Sequence, residues 1–251
     1  MPQIRLRKPK AILFDINGTA TYTSFTDRFL ANFARRAVKS FLSINFNNEQ
    51  IQRDIAMIRI DAKSNQGWPQ VAAEGQEAII ADVEAIMNHC LDNDVDCLGL
   101  AQLRFHIWFE AYQKGQITTS IYSDVAIQMK RWRCDYNIKL YVCSQGWSEA
   151  NKVFLSRTNQ GDMTLLIDGY FDTKHGSWKE PKSFHRLLEE LQITQPSSVV
   201  LFTKNGATAR SASHAGIVPI IVTTHKKCYD ALSGEEKKMA IIRTMNEIEF
   251  E

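Results

Sequence analysis

The stretch Ala11-Ile12-Leu13-Phe14-Asp15-Ile16-Asn17-Gly18-Thr19 decides how the rest of the chain is read. A short apolar run follows a lead-in carrying Arg5, Arg7, Lys8 and Lys10, and it closes on Asn-Gly. Such a run is too short for a stable helix and reads as a buried strand running into a turn. In open parallel sheets the chemistry gathers at the carboxyl ends of the strands, which singles out Asp15. The plainer reading is that Asp15 only caps the turn.

Outward from this strand the pattern changes twice. Residues 25–112 carry almost no strand signal. Apolar residues recur there at helical spacing in Phe29-Phe33-Val38-Phe41, Ile51-Ile55-Ile58, Ile79-Val83-Ile86 and Leu103-Ile107-Trp108-Ala111. After this helical block, alternation resumes. Residues 125–132 read as a helix, 138–143 as a strand and 148–154 as a helix, with a short strand near 165–167. Pro181 stands where a first helical turn begins, ahead of the stripe Phe184-Leu187-Leu188-Leu191. Residues 199–202 and 218–222 read as strands around a helix at 207–215, and the segment from Ser233 reads as an amphipathic helix. Strands alternating with helices imply βαβ units and a mostly parallel sheet. The expected organisation is an α/β Rossmannoid core, residues 1–24 and 115–251, interrupted by a helical cap, residues 25–114.

Composition excludes several classes. The 251 residues are 44% hydrophobic and 23% charged, the balance of a soluble globular protein. The formal net charge of +2 gives no warrant for a nucleic-acid or membrane partner. The basic clusters at the N-terminus, at Lys130-Arg131-Arg133 and at Lys226-Lys227 are short and read as solvated faces. Five cysteines, an odd number without CxxC spacing, read as reduced intracellular thiols. No leader-like apolar segment or membrane span is evident, so the expected location is cytoplasmic, or else nuclear.

An aspartate ending a buried strand and followed by Gly-Thr resembles the signature of the haloacid-dehalogenase superfamily. Gly161-Asp162 through Asp168-Gly169-Tyr170-Phe171-Asp172-Thr173-Lys174-His175-Gly176, with Phe105-His106-Ile107-Trp108, Glu110, Tyr112 and Gly115, narrows the likeness. This part of the chain looks like the enolase-phosphatases, or acireductone synthases, of methionine salvage. The resemblance covers roughly residues 11–222. It implies a haloacid-dehalogenase-like sheet with an inserted helical cap. It also implies magnesium-assisted dephosphorylation and enolisation of a diketo-methylthiopentyl phosphate. Asp15 takes the covalent nucleophile's position, and Ser144, with Gln145 and Gly146, the phosphate-binding position.

Three positions depart from that pattern. Where a second carboxylate protonates the leaving oxygen, the chain has Asn17, an amide that cannot give and retake a proton. The expected lysine, six residues before an aromatic, falls on Trp178, leaving Lys179 as the candidate and Lys182 close by. Where acidic residues hold magnesium, the chain has Thr203-Lys204-Asn205-Gly206. Magnesium prefers carboxylate oxygens, so Asp15, Asn17 and Asn205 make a degenerate site that holds it weakly or not at all.

The primary reading is therefore a catalytically impaired enolase-phosphatase homologue, a pseudo-phosphatase that binds a protein partner or a small phosphorylated ligand. The first alternative is an active magnesium-dependent enolase-phosphatase in which Asp168 or Asp172 reaches the metal. The second is a metal-independent, dehalogenase-like hydrolase. In the cap, Trp68, Phe105, His106, Trp108 and Tyr112 are candidates to line a pocket, while Asp54, Arg59, Asp61 and Lys63 read as a solvated face.

Overall fold

A computed structural model describes residues 3–251. The chain divides into two compact units, Met1–Thr23 with Thr118–Glu251, and Ser24–Ile117. The first unit opens with β1 (Ile4–Leu6) and β2 (Ala11–Phe14), the latter buried throughout.

The second unit is helical. A π-helical stretch, Phe25–Leu30, runs into α1 (Ala31–Asn45), followed by α2 (Glu49–Ser64), α3 (Gln76–Asn93) and α4 (Leu98–Gln113). Asn48 starts α2 by accepting the N–H groups of Gln50 and Ile51. Gly99 lets α4 approach the backbone of α2, because a Cβ there would collide with Ile58.

The aromatic residues of this unit mostly build its interior. Trp108 and Tyr112 are buried, and Trp108 Nε1 donates to the Leu30 carbonyl at 2.9 Å. Trp108 also lines a cavity of about 360 Å³ within the unit, with Asp27, Asp96 and Arg104. The solvated face expected around residues 54–63 is not what forms. Asp54 is 2% exposed and pairs with His106 Nδ1 at 2.6 Å. Asp61 accepts the Gly99 N–H at the start of α4, and Arg59 donates to the Ala72 carbonyl. Only Lys63 among the four is exposed. Each inward side chain has at least one hydrogen-bond partner, which offsets much of the cost of its burial, although Arg59 Nε has none.

The first unit resumes with α5 (Ser123–Cys134), β3 (Lys139–Cys143), α6 (Ser148–Ser156), β4 (Gly169–Phe171), α7 (Pro181–Glu190), β5 (Val199–Thr203), α8 (Gly206–His214), β6 (Val218–Val222), α9 (Lys226–Asp230), β7 (Ala240–Ile242) and β8 (Ile248–Phe250). Six strands form one sheet in the order β4-β3-β2-β5-β6-β7, every neighbouring pair parallel. β1 pairs with β8 separately. Side chains of β2 alternate between two packed faces, as a strand's two-residue period requires. Ile12 and Phe14 join Trp132, Val142 and Phe202 on one face, and Ala11 and Leu13 join Trp178, Phe184, Leu187 and Leu201 on the other. Phe14 aligns with Val142 of β3 and Phe202 of β5. The residues after these three strands therefore emerge side by side at one edge.

Two local expectations fail. The strand expected near residues 165–167 is a 3₁₀ turn, Thr164–Leu166, begun by Asp162, whose carboxylate accepts both the N–H and the hydroxyl of Thr164. The helix expected from Ser233 is replaced by short 3₁₀ turns and by β7 and β8, whose partners are β6 and the distant β1.

Candidate active site

Asp15 is the residue immediately after β2. Its backbone N–H donates to the Phe202 carbonyl at 3.0 Å, locking the end of β2 to β5. The Thr203 hydroxyl donates to Asp15 Oδ2 at 3.5 Å, and the backbone N–H groups of Ile16 and Asn17 also serve the carboxylate. Burial pushes the Asp15 carboxyl up to about 6, against the opposing pull of the Lys204 charge and these hydrogen bonds. A carboxyl so placed is largely ionised at neutral pH yet poorly solvated, which suits a nucleophile.

The turn that follows is tight. Gly18 has φ +75° and donates to the Thr21 carbonyl at 2.9 Å. Only glycine adopts that angle without strain, and space demands it too. A Cβ on Gly18 would run into Lys204 Cδ and lie 3.1 Å from Lys204 Nζ. The Lys204 side chain thus folds back over the turn that carries Asp15. Its backbone N–H donates to Thr19 Oγ1 at 3.0 Å, which joins the two turns a second time.

The β3 edge adds Ser144, Gln145 and Gly146. Ser144 is buried, its N–H donates to the Phe171 carbonyl at 3.0 Å, and its Oγ accepts the Gly146 N–H at 3.1 Å. Gln145 is exposed. The charge of Asp15 reaches the neighbouring strand, adding to the burial that pushes the Cys143 thiol up.

The turn before α7 corrects the expectation for Lys179. That lysine is exposed, and Lys182 pairs with Glu180 at 2.5 Å. Trp178 fills the inward position instead. It is 2% exposed, its Nε1 donates to the Ser144 carbonyl at 2.9 Å, and its ring lies 5.2 Å from that of Phe184. The cation acting on Asp15 comes from Lys204. Both residues stand out in the sequence, but only the folded chain brings Lys204 to Asp15.

The carboxylates proposed to rebuild a metal site are committed elsewhere. Asp168 precedes β4 and sits at the opposite end of the sheet, where it accepts the Leu140 N–H and pairs with Lys139 at 2.8 Å and Arg133 at 3.3 Å. Asp172 accepts the Ser148 hydroxyl and N–H at the start of α6 and the Lys174 N–H. Burial pushes its carboxyl up, but these bonds outweigh that and hold it below the usual range. Asn205, read as a weak ligand, is the N-cap of α8, with Oδ1 accepting the Thr208 N–H at 3.0 Å.

Magnesium, which the resemblance implies, seeks several hard oxygen ligands, usually anionic. Of the positions expected to hold it, only Asp15 is a carboxylate, Asn17 and Asn205 are neutral amides, and Lys204 brings a positive charge against Asp15. Among the described residues no cluster of three His, Cys, Asp or Glu could hold a metal ion. The donor set does not fit a divalent cation.

No family model matches the chain. It is 28% identical over 214 residues to enolase-phosphatase E1 of Persephonella marina, covering 85% of this chain and 88% of that protein. It is 30% identical over 219 residues to a probable bifunctional methylthioribulose-1-phosphate dehydratase/enolase-phosphatase E1 of Zea mays, covering 84% of this chain. It spans only 42% of the length of that maize relative. Among solved structures, the UTR4 protein of Saccharomyces cerevisiae superposes with a TM-score of 0.73 at 20% identity, covering 94% of this chain and 98% of that one. A dehalogenase solved as an intermediate complex superposes with a TM-score of 0.57 at 13% identity, covering 96% of each chain. Among the described residues no helix is long and apolar enough to cross a membrane. The chain has a haloacid-dehalogenase-like α/β fold and resembles the enolase-phosphatases in sequence.

Proposed function

We propose that the chain is an Asp15-centred hydrolase of the enolase-phosphatase kind, acting on small phosphorylated compounds. The observation that carries this reading is the placement of Asp15. It ends the central strand, its carboxylate is served by Thr203 and by backbone N–H groups, and the Lys204 ammonium offsets its charge. The similarity to full-length enolase-phosphatase E1 supports an active reading at least as well as an impaired one.

In this reading an Asp15 carboxylate oxygen attacks phosphorus and the bond to the leaving oxygen breaks with its electron pair. Water then cleaves the aspartyl phosphate. Asn17 carries no proton to lend the leaving oxygen, so that oxygen departs as an anion or takes its proton from water. Enol and aryl phosphates, whose oxyanions are stabilised, are then the preferred substrates, and simple alkyl phosphates react about 10²–10⁴-fold more slowly than an acid-equipped site would achieve.

A second reading, binding of a phosphorylated ligand or a protein partner without turnover, is favoured by the same Asn17 and by a donor set unsuited to magnesium. Turnover of 4-nitrophenyl phosphate and of diketo-methylthiopentyl phosphate, with Asp15→Asn as the blank, separates the two. Release of phosphate well above the blank supports the hydrolase. Rates equal to the blank on both esters overturn the hydrolase reading and support the binding role.

A further inference from the structure

We infer that Lys204 stands in for the divalent metal, so that the site binds the phosphate dianion of its ligand without any metal ion. The inference rests on the reading of the Asp15 edge as a phosphate site, and it assigns the positive charge that such a site requires.

Three observations converge on it. First, Lys204 is placed at the turn that carries Asp15. Its backbone N–H is fixed to Thr19 Oγ1, and its side chain lies against Gly18, with Nζ 3.1 Å from where a Cβ on that glycine would stand. An ammonium that starts from a fixed backbone beside the carboxylate has a short reach to an anion bound there.

Second, the two lysines beside the start of α7, Lys179 and Lys182, are both exposed. Lys182 is paired with Glu180. The inward position of their turn is filled by Trp178, whose Nε1 is bound to the Ser144 carbonyl. Third, three of the side chains that could otherwise supply oxygen ligands are in use elsewhere. Asn205 caps α8, Asp172 holds the start of α6, and Asp168 is bonded at the far end of the sheet.

Charge balance agrees with this assignment. A dication is suited to a site with several carboxylates, because it cancels their mutual repulsion and still attracts phosphate. A site with Asp15 as its single carboxylate is neutralised by one ammonium. An added dication would instead have to displace Lys204 or sit beside it, like charge against like charge. Ammonium is a compact point charge suited to a phosphate oxygen.

The test is inorganic phosphate binding to the full chain, followed by titration calorimetry first in EDTA and then with added magnesium chloride. Wild type, Lys204→Met, Lys204→Arg and Lys204→Asp are compared, each first checked for a cooperative unfolding transition. The expected pattern is equal wild-type affinity in both buffers, a loss of about tenfold or more in Lys204→Met, and retention within a few-fold in Lys204→Arg. Lys204→Asp should lose phosphate in EDTA and regain it with magnesium, because a second carboxylate now faces Asp15.

Wild-type binding that appears only with magnesium overturns the inference while leaving the phosphate reading intact. Undiminished binding by Lys204→Met in EDTA also overturns it. Absence of phosphate binding to wild type in either buffer removes the phosphate reading itself, and the role of Lys204 with it.

Discussion

The turn that holds Trp178 and the turn that holds Lys204 reach the same sheet edge with opposite strategies. At Trp178 a position expected to carry a cation has become part of the hydrophobic core, closed by an indole hydrogen bond to Ser144. At Lys204 a position expected to carry an acid has become the cation, in a turn whose backbone is fixed by Thr19 and Thr203. Neutral hydroxyls and main-chain groups shape the edge, so its backbone does not depend on which charges it carries. What those charges set is the electrostatic task. Against the pattern that the resemblance implies, the positive charge stands on a different loop and the companion carboxylates are absent from the expected positions.

If that division is right, the two turns fail in different ways when broken. Trp178→Ala should destabilise the fold by about 3–5 kcal/mol, the range for deleting a buried aromatic. It removes the packing against Phe184 and leaves the Ser144 carbonyl without its indole donor. Lys204→Met, which removes a half-buried side chain bonded through its main chain, should lower the urea midpoint far less than Trp178→Ala, by no more than its lost offset to the Asp15 charge, while weakening phosphate. A large stability loss in Lys204→Met, or a small one in Trp178→Ala, would erase the distinction.

The next effect is smaller and lies in Asp15. A carboxyl raised from 3.8 to about 6 binds its proton more tightly in the folded chain than in the unfolded one. Stability therefore falls as pH rises between those two values, and the loss persists above them. Asp15→Asn, which never ionises, should be more stable than wild type at pH 7 by on the order of 1–3 kcal/mol. The advantage should vanish near pH 4, where both proteins carry a neutral group. Urea denaturation at the two pH values reads it directly. In a Lys204→Met background the gain at pH 7 should grow, because the offsetting ammonium is absent. An unchanged gain would place Lys204 too far from Asp15 to matter.

The contrast between the turns also marks what could be read from residues alone. Runs such as 11–14, 199–203 and 218–222 are continuous and apolar, so their strands were legible, and so was Pro181 at the start of α7. β7 and β8 were not, because three-residue strands take their existence from partners such as the distant β1 rather than from local pattern. Asp15 was legible because its neighbours in sequence make its turn. Lys204 was visible as a residue but not as a partner of Asp15, since the side chain's path over Gly18 depends on a register 186 residues away in the chain, from Gly18 to Lys204. Asp54 was misread for a similar reason. Its partner His106 lies on another helix, and nothing near position 54 announces it.

The smallest effect concerns Asn205, the residue beside Lys204. If it were a metal or phosphate ligand, replacing it with alanine would change binding more than folding. As the N-cap of α8 it should do the reverse. Asn205→Ala should lower stability by about 1 kcal/mol, the usual value of a lost cap, with phosphate affinity in EDTA unchanged. Asn205→Asp is the sharper variant, because aspartate caps a helix as well as asparagine does and adds a carboxylate to the edge. It should restore the stability that alanine loses while weakening phosphate by repulsion, so the two readouts move in opposite directions for one substitution. Such a split separates the group that shapes this turn from the charge it carries.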